Sequence, residues 1–112
     1  MDSRGNGGLQ ATERAQRFEI QMPLRYRVNG ESQWRQGTTK NISCSGVLFR
    51  GEIAAQPNSP VEMALVLPSE VNGEGPAEVL CRGIVIRSER TRGVDSLPAV
   101  ATRISFYRFI RP

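Results

Sequence analysis

Two short segments of this 112-residue chain carry side chains suited to holding an anion or a nucleobase. The first is Thr12-Glu13-Arg14-Ala15-Gln16-Arg17, and the second is Asn41-Ile42-Ser43-Cys44-Ser45-Gly46. A guanidinium fork takes phosphate oxygens two at a time, or the O6/N7 edge of guanine. The Asn41 amide and Ser43 hydroxyl offer donors and acceptors for a base edge or a sugar. Gly46 permits close backbone approach or a positive φ. Taken alone, Asn-x-Ser before a strand is also a common turn that satisfies its own backbone. Arg14 and Arg17, taken alone, read as solvated.

Composition removes most catalytic chemistry. The chain has no His, which excludes Ser-His and Cys-His nucleophile pairs and His-ligated metals. Cys44 and Cys81 are too few for a four-ligand zinc site or a disulfide framework, and read as reduced thiols in a cytoplasmic protein. Asp2 and Asp95 fall at a terminus and in a loop, and no carboxylate pair suggests acid–base work. No enzyme, catalytic residue, metal or cofactor is expected. The net charge of +4 rests almost wholly on arginine, Lys40 being the only lysine. That favours an anionic partner, though a GC-rich genome explains the arginines equally well. The longest aliphatic run, Met63 to Leu67, is far short of the ~20 residues a membrane span needs, so no membrane insertion is expected.

The elements that must position the two segments alternate with period two. Residues 1–12 read as a flexible Gly-rich tail and 13–112 as one domain. Phe18, Ile20, Met22, Leu24, Tyr26 and Val28 take every even position, predicting a strand with one buried face. Pro23, on the opposite face, suggests an edge or a bulge. Asn29-Gly30 then predicts a hairpin into Gln33 to Thr39. Further strands are expected at Gly46 to Arg50, Val61 to Leu67, Glu78 to Arg87 and Ala99 to Phe106. In the fifth, Leu80, Ile84 and Ile86 share a face; in the sixth, Val100, Thr102, Ile104 and Phe106 do. Residues 107–112 extend the last strand or turn briefly helical. Trp34 reads as a packing residue, and Arg87, Arg90 and Arg92 as a solvated loop. Six short strands with regular turns make an all-β antiparallel barrel or sandwich. A hairpin returns the chain to its start, so residues before strand one and after strand two share one end.

Asn41-x-Ser43-x-x-Gly46, following an arginine pair at the head of six strands, resembles the PilZ domain family, whose members read the second messenger cyclic di-GMP. The likeness extends from about Glu13 to Phe106. It implies a six-stranded antiparallel β-barrel and a non-catalytic bacterial signalling module that relays the nucleotide to an unidentified protein effector. It also implies ligand-binding roles for Arg14, Arg17, Asn41, Ser43 and Gly46. The family pattern RxxxR is one residue longer than Arg14-x-x-Arg17, and its first arginine position falls here on Glu13. That departure motivates an alternative, a PilZ-like adaptor that has lost the nucleotide and acts through protein–protein contacts. A basic barrel binding RNA or DNA is the weakest reading: Arg103, Phe106, Tyr107, Arg108, Phe109 and Arg111 interleave cations with aromatics, but read better as strand core and exposed end. No nucleic-acid polymer is expected as partner.

Overall fold

The computed structural model describes residues 16–69, 73, 75–90 and 97–110. The expected tail at 1–12, Arg14, Arg92 and Arg111 lie outside the described residues. The chain forms β1 (Pro23–Val28), β2 (Arg35–Ile42), β3 (Gly46–Gly51), β4 (Pro60–Leu67), β5 (Ala77–Glu89) and β6 (Ala99–Ile110). They close a barrel in the order β1-β2-β3-β6-β5-β4, every pairing antiparallel. The choice between barrel and sandwich is thus settled for the barrel, which leaves fewer edges to manage.

β1 and β2 pair as the expected hairpin, through a connection longer than two residues. Asn29 (φ 55°) and Gly30 (φ 73°) both take the left-handed region, and the Glu31 N–H donates to the Val28 carbonyl at 3.1 Å. This Asn-Gly turn starts the reversal, but the ladder resumes only at Tyr26 opposite Arg35, so residues 29–34 form the connection. Pro23 takes an edge position on its β4 side, and no bulge. It opens β1 opposite Thr38, before pairing with β4 begins at Leu24, so its missing N–H breaks no ladder there.

The β1 ladder is shorter than the alternation suggested. From Phe18 to Met22 the chain lies beside the end of β2 and is held by particular bonds. Phe18 and Ile42 exchange backbone hydrogen bonds at 2.8 and 3.0 Å. Thr39, fully buried, donates from Oγ1 to the Ile20 carbonyl at 2.5 Å and accepts from the Met22 N–H at 3.0 Å.

Leu24, Tyr26, Val47, Phe49, Val61 and Met63 fill the barrel, with the Tyr26 and Phe49 rings 4.8 Å apart. The buried Tyr26 hydroxyl donates to the Ile53 carbonyl at 2.8 Å and accepts from its N–H at 3.0 Å. Trp34 packs on the outside, with the Arg25 and Arg27 guanidiniums 5.1 and 4.4 Å from its ring centre.

Three bulges decide which side chains face where. Lys40 is the extra residue in β2, between the pairs Thr39↔Phe49 and Asn41↔Leu48. Ile86 is the extra residue in β5 and Ser105 in β6. Each one reverses the alternation beyond it. This corrects one expectation, in β6. In β5 Leu80, Ile84 and Ile86 do share a face, but it is the outer one, Leu80 and Ile84 half-buried and Ile86 half-exposed, while Val79, Cys81 and Val85 point inward. In β6, Val100 and Thr102 point inward as expected, but past Ser105 the outward residue is Phe106. Residues 107–110 continue the strand, and Arg87 lies within β5, not in a loop.

Candidate functional site

The site is built where the β2–β3 turn meets the segment entering β1. The Lys40 bulge turns Asn41 outward, opposite Leu48 in β3, and returns Ile42 to the core. Phe18 is laddered antiparallel to Ile42, which sets Arg17 across from Ser43, and its long side chain reaches diagonally to Asn41. The Arg17 Nη1 donates to Asn41 Oδ1 across a long 3.5 Å contact. Arg17 is otherwise exposed, so its remaining donors face solvent.

Ser43 to Gly46 close a two-residue turn around Cys44 and Ser45. The Ser43 N–H donates to the Gly46 carbonyl at 2.9 Å, and Ser43 Oγ accepts from the N–H groups of Ser45 and Gly46, both at 3.2 Å. Two backbone donors occupy its two lone pairs, leaving the hydroxyl proton for a third partner. In the present arrangement Ser45 Oγ is 3.0 Å away. The local-turn reading of Asn-x-Ser therefore describes Ser43 well, while Asn41 looks outward.

Gly46 does not adopt a positive φ. Its need for glycine is close approach, and the neighbour is β6. A Cβ there would overlap the Thr102 carbonyl oxygen, and one on Gly83 would overlap that of Arg103. The two glycines draw β3 and β5 tightly against β6, and this sets the third wall of the site.

That wall contributes residues the sequence did not mark. A groove of about 310 Å³ runs over the outer face, bordered by Arg17, Asn41, Ser43 and Gly46 on one side and by Arg87 and Arg103 on the other. Arg103 is the β6 partner of Gly46, and Arg87 stands opposite Ala101 beyond the Ile86 bulge. Leu48, Ile86 and Ala101 supply apolar surface between the cations. None of the residues lining the groove is acidic. Arg87 is only loosely paired, its Nε 3.9 Å from Glu89 Oε2 with both side chains exposed. Three guanidiniums around an apolar floor suit a flat heteroaromatic ring carrying phosphate. Arg87 was read as part of a solvated loop and Arg103 as an exposed strand end; only cross-strand register, which no local pattern reveals, brings them here.

Among the described residues no group of three or more His, Cys, Asp or Glu could hold a metal ion. Nor, among the same residues, is any helix long and apolar enough to cross a membrane.

Residues 11–104 match the family model of the PilZ domain. The chain belongs to the PilZ domain family. Its barrel is also similar to the crystal structure of the PilZ domain of CeSA from a cellulose synthesizing bacterium. That match has a TM-score of 0.56 and 18% identity over 82% of each chain, a likeness of fold. No curated protein matches the sequence significantly. This PilZ domain therefore belongs to a family of cyclic di-GMP receptors, binding domains with no catalytic role of their own. All five positions singled out in the sequence, Arg14 included, fall within the matched region.

Proposed function

We propose that this PilZ domain binds cyclic di-GMP in the groove between Arg17 and the Ser43–Gly46 turn, and relays it to a protein partner in the bacterial cytoplasm. The observation that carries the reading is the Arg17–Asn41 contact, which joins segments 24 residues apart in sequence at one cationic groove. Arg17, with Arg14 from the same segment, clamps phosphate and the guanine edge. Asn41 turns its amide to a base or sugar once Arg17 swings onto the ligand. Ser43 and Gly46 hold the turn in shape, and the Ser43 hydroxyl proton, within reach of Ser45 Oγ and the Gly46 carbonyl in the free domain, turns to the ligand. Arg87 and Arg103 balance the second phosphate from across the groove, while Leu48 and Ile86 lie under the ring. No cofactor takes part. Contact with the nucleotide changes the surface displayed by the segment ahead of β1, and that surface is what the partner reads.

A second reading has its own support. Glu13 occupies the family's first arginine position, and the Ser43 lone pairs are already filled by its turn. On that reading the domain is a nucleotide-free adaptor. Isothermal titration with cyclic di-GMP separates the two. Saturable heat supports the receptor. Absence of heat at about 0.5 mM nucleotide, with the protein folded, supports the adaptor. In that event Glu13→Arg restores binding.

A further inference from the structure

Strand β6 outruns the strand beside it. Its register with β3 ends at Arg103 opposite Gly46, with one further bond from the Ile104 N–H to the Ser45 carbonyl at 2.8 Å. β5, on the other side, keeps pairing as far as Ile110. Among the described residues nothing pairs with the second edge of residues 105–110, a length of roughly 20 Å at about 3.4 Å per residue. Such an edge is a template for another strand unless charge, proline or a cover blunts it. Here the only charged side chain on it is Arg108.

The same stretch is apolar and exposed. Phe106, Tyr107, Phe109 and Ile110 are 53, 46, 45 and 39% exposed. The Ser105 bulge places Tyr107 opposite Cys81 and Phe109 opposite Val79. Both rings therefore border an apolar hollow of about 130 Å³ at the barrel mouth, next to Leu67 and Ile104. Phe106 and Arg108 project from the outer face beside Leu80 and Arg82.

We propose that a second copy of this chain covers this edge, the two β6 strands pairing antiparallel about a two-fold axis through Tyr107. The argument for a second copy is the self-complementarity of the segment. A two-fold axis perpendicular to a sheet sets residues of equal parity opposite each other, so the axis must pass through a residue. Centred on Tyr107, it stacks Tyr107 against Tyr107 of the second copy at the apolar mouth. On the outer face it sets Phe106 against Arg108 of the second copy, a favourable ring–guanidinium pair. Centred on Arg108, it would oppose two like charges. The edge thus has one register that joins apolar and cation–ring pairs without repulsion, and its partner strand is itself.

Sedimentation velocity of the full chain without nucleotide tests the proposal independently of the receptor reading. The expected result is a mass rising from one chain to two as concentration increases to about 200 μM, as befits a small interface. Phe106→Lys, which sets an ammonium against Arg108 of the second copy, raises the dissociation constant at least about tenfold. As a second arm, Tyr107→Cys in a Cys44→Ser, Cys81→Ala background, which removes the cysteine facing position 107 within the chain, cross-links with itself under mild oxidation, since residues facing each other across a two-fold axis meet disulfide geometry. A single-chain mass throughout the range overturns the proposal. So does a dimer that tolerates Phe106→Lys and gives no Tyr107→Cys cross-link, because it must use another surface.

Discussion

Gly46 of β3 and Thr102 of β6 approach so closely that a methyl group on Gly46 would overlap the Thr102 carbonyl oxygen. The obstacle is backbone, which cannot rotate away. Gly46→Ala therefore pushes β3 off β6 or twists the turn that ends at Gly46. The expected cost is about 1–3 kcal/mol, as for an overpacked core. It appears in urea denaturation as a lower midpoint with an unchanged slope. Gly73→Ala is a useful contrast: its neighbourhood is open, and only its φ of +84° opposes a side chain.

Thr39 positions Arg17 without touching the groove. Its hydroxyl bonds the Ile20 carbonyl and the Met22 N–H, fixing the segment that carries Arg17 to β2. Thr39→Val keeps the shape and removes both bonds. It leaves two polar backbone groups without that partner, at about 1–3 kcal/mol. Nucleotide affinity falls as well, whereas Tyr26→Phe, which removes a hydroxyl bonded at Ile53, lowers stability with affinity retained.

Arg103 reaches the groove only through its register with Gly46. If it meets phosphate, Arg103→Ala weakens cyclic di-GMP binding about ten- to a hundredfold, the value of a lost charge-assisted contact. Arg108→Ala, on the same strand but outside the groove, leaves binding unchanged. Paired titrations of the two variants check the expectation.

The two cysteines differ in environment. Cys44 is exposed at the turn, while Cys81 is buried and burial pushes its thiol up from 9.0 to about 11. Below pH 9 the thiol is neutral in both folded and unfolded chains. Between pH 9 and 11 the unfolded chain ionises it and the folded chain does not, so stability falls as pH rises. Burial raises the Tyr26 hydroxyl too and acts in the same direction. Denaturation at pH 8 and 10, for wild type and Cys81→Ala, isolates the cysteine: the alkaline loss is smaller in the variant. At pH 8 a thiol reagent modifies Cys44 first, and Cys81 only on opening.

Strands β1, β4 and β6 were legible because period-two alternation of apolar residues marks them directly, whereas β2 followed from the turn ahead of it and β3 and β5 from apolar-rich runs between turns. Asn29-Gly30 fixed the first turn for an equally local reason. What escaped the sequence was parity. Lys40, Ile86 and Ser105 each insert one residue opposite a regular strand, and nothing in their side chains announces it. Phe106 was therefore placed inside and found outside. In β5 both faces carry apolar residues, so alternation alone could not choose between Leu80 and Val79. The site was legible in half. Asn41, Ser43 and Gly46 carry a recognisable spacing, and the hairpin argument brings Arg17 to their end of the barrel. Arg87 and Arg103 depend on which strand lies beside β3, a relation between residues more than fifty positions apart.

The most direct measurement is a proton–nitrogen correlation spectrum of the full chain titrated with cyclic di-GMP. The expected result is saturable shifts concentrated at Arg17, Asn41, Ser43, Gly46, Arg87 and Arg103, with β4 nearly silent. A spectrum unchanged at saturating nucleotide, or shifts gathered on the β1–β4 side of the barrel, would contradict a nucleotide groove beside the Arg17–Asn41 contact.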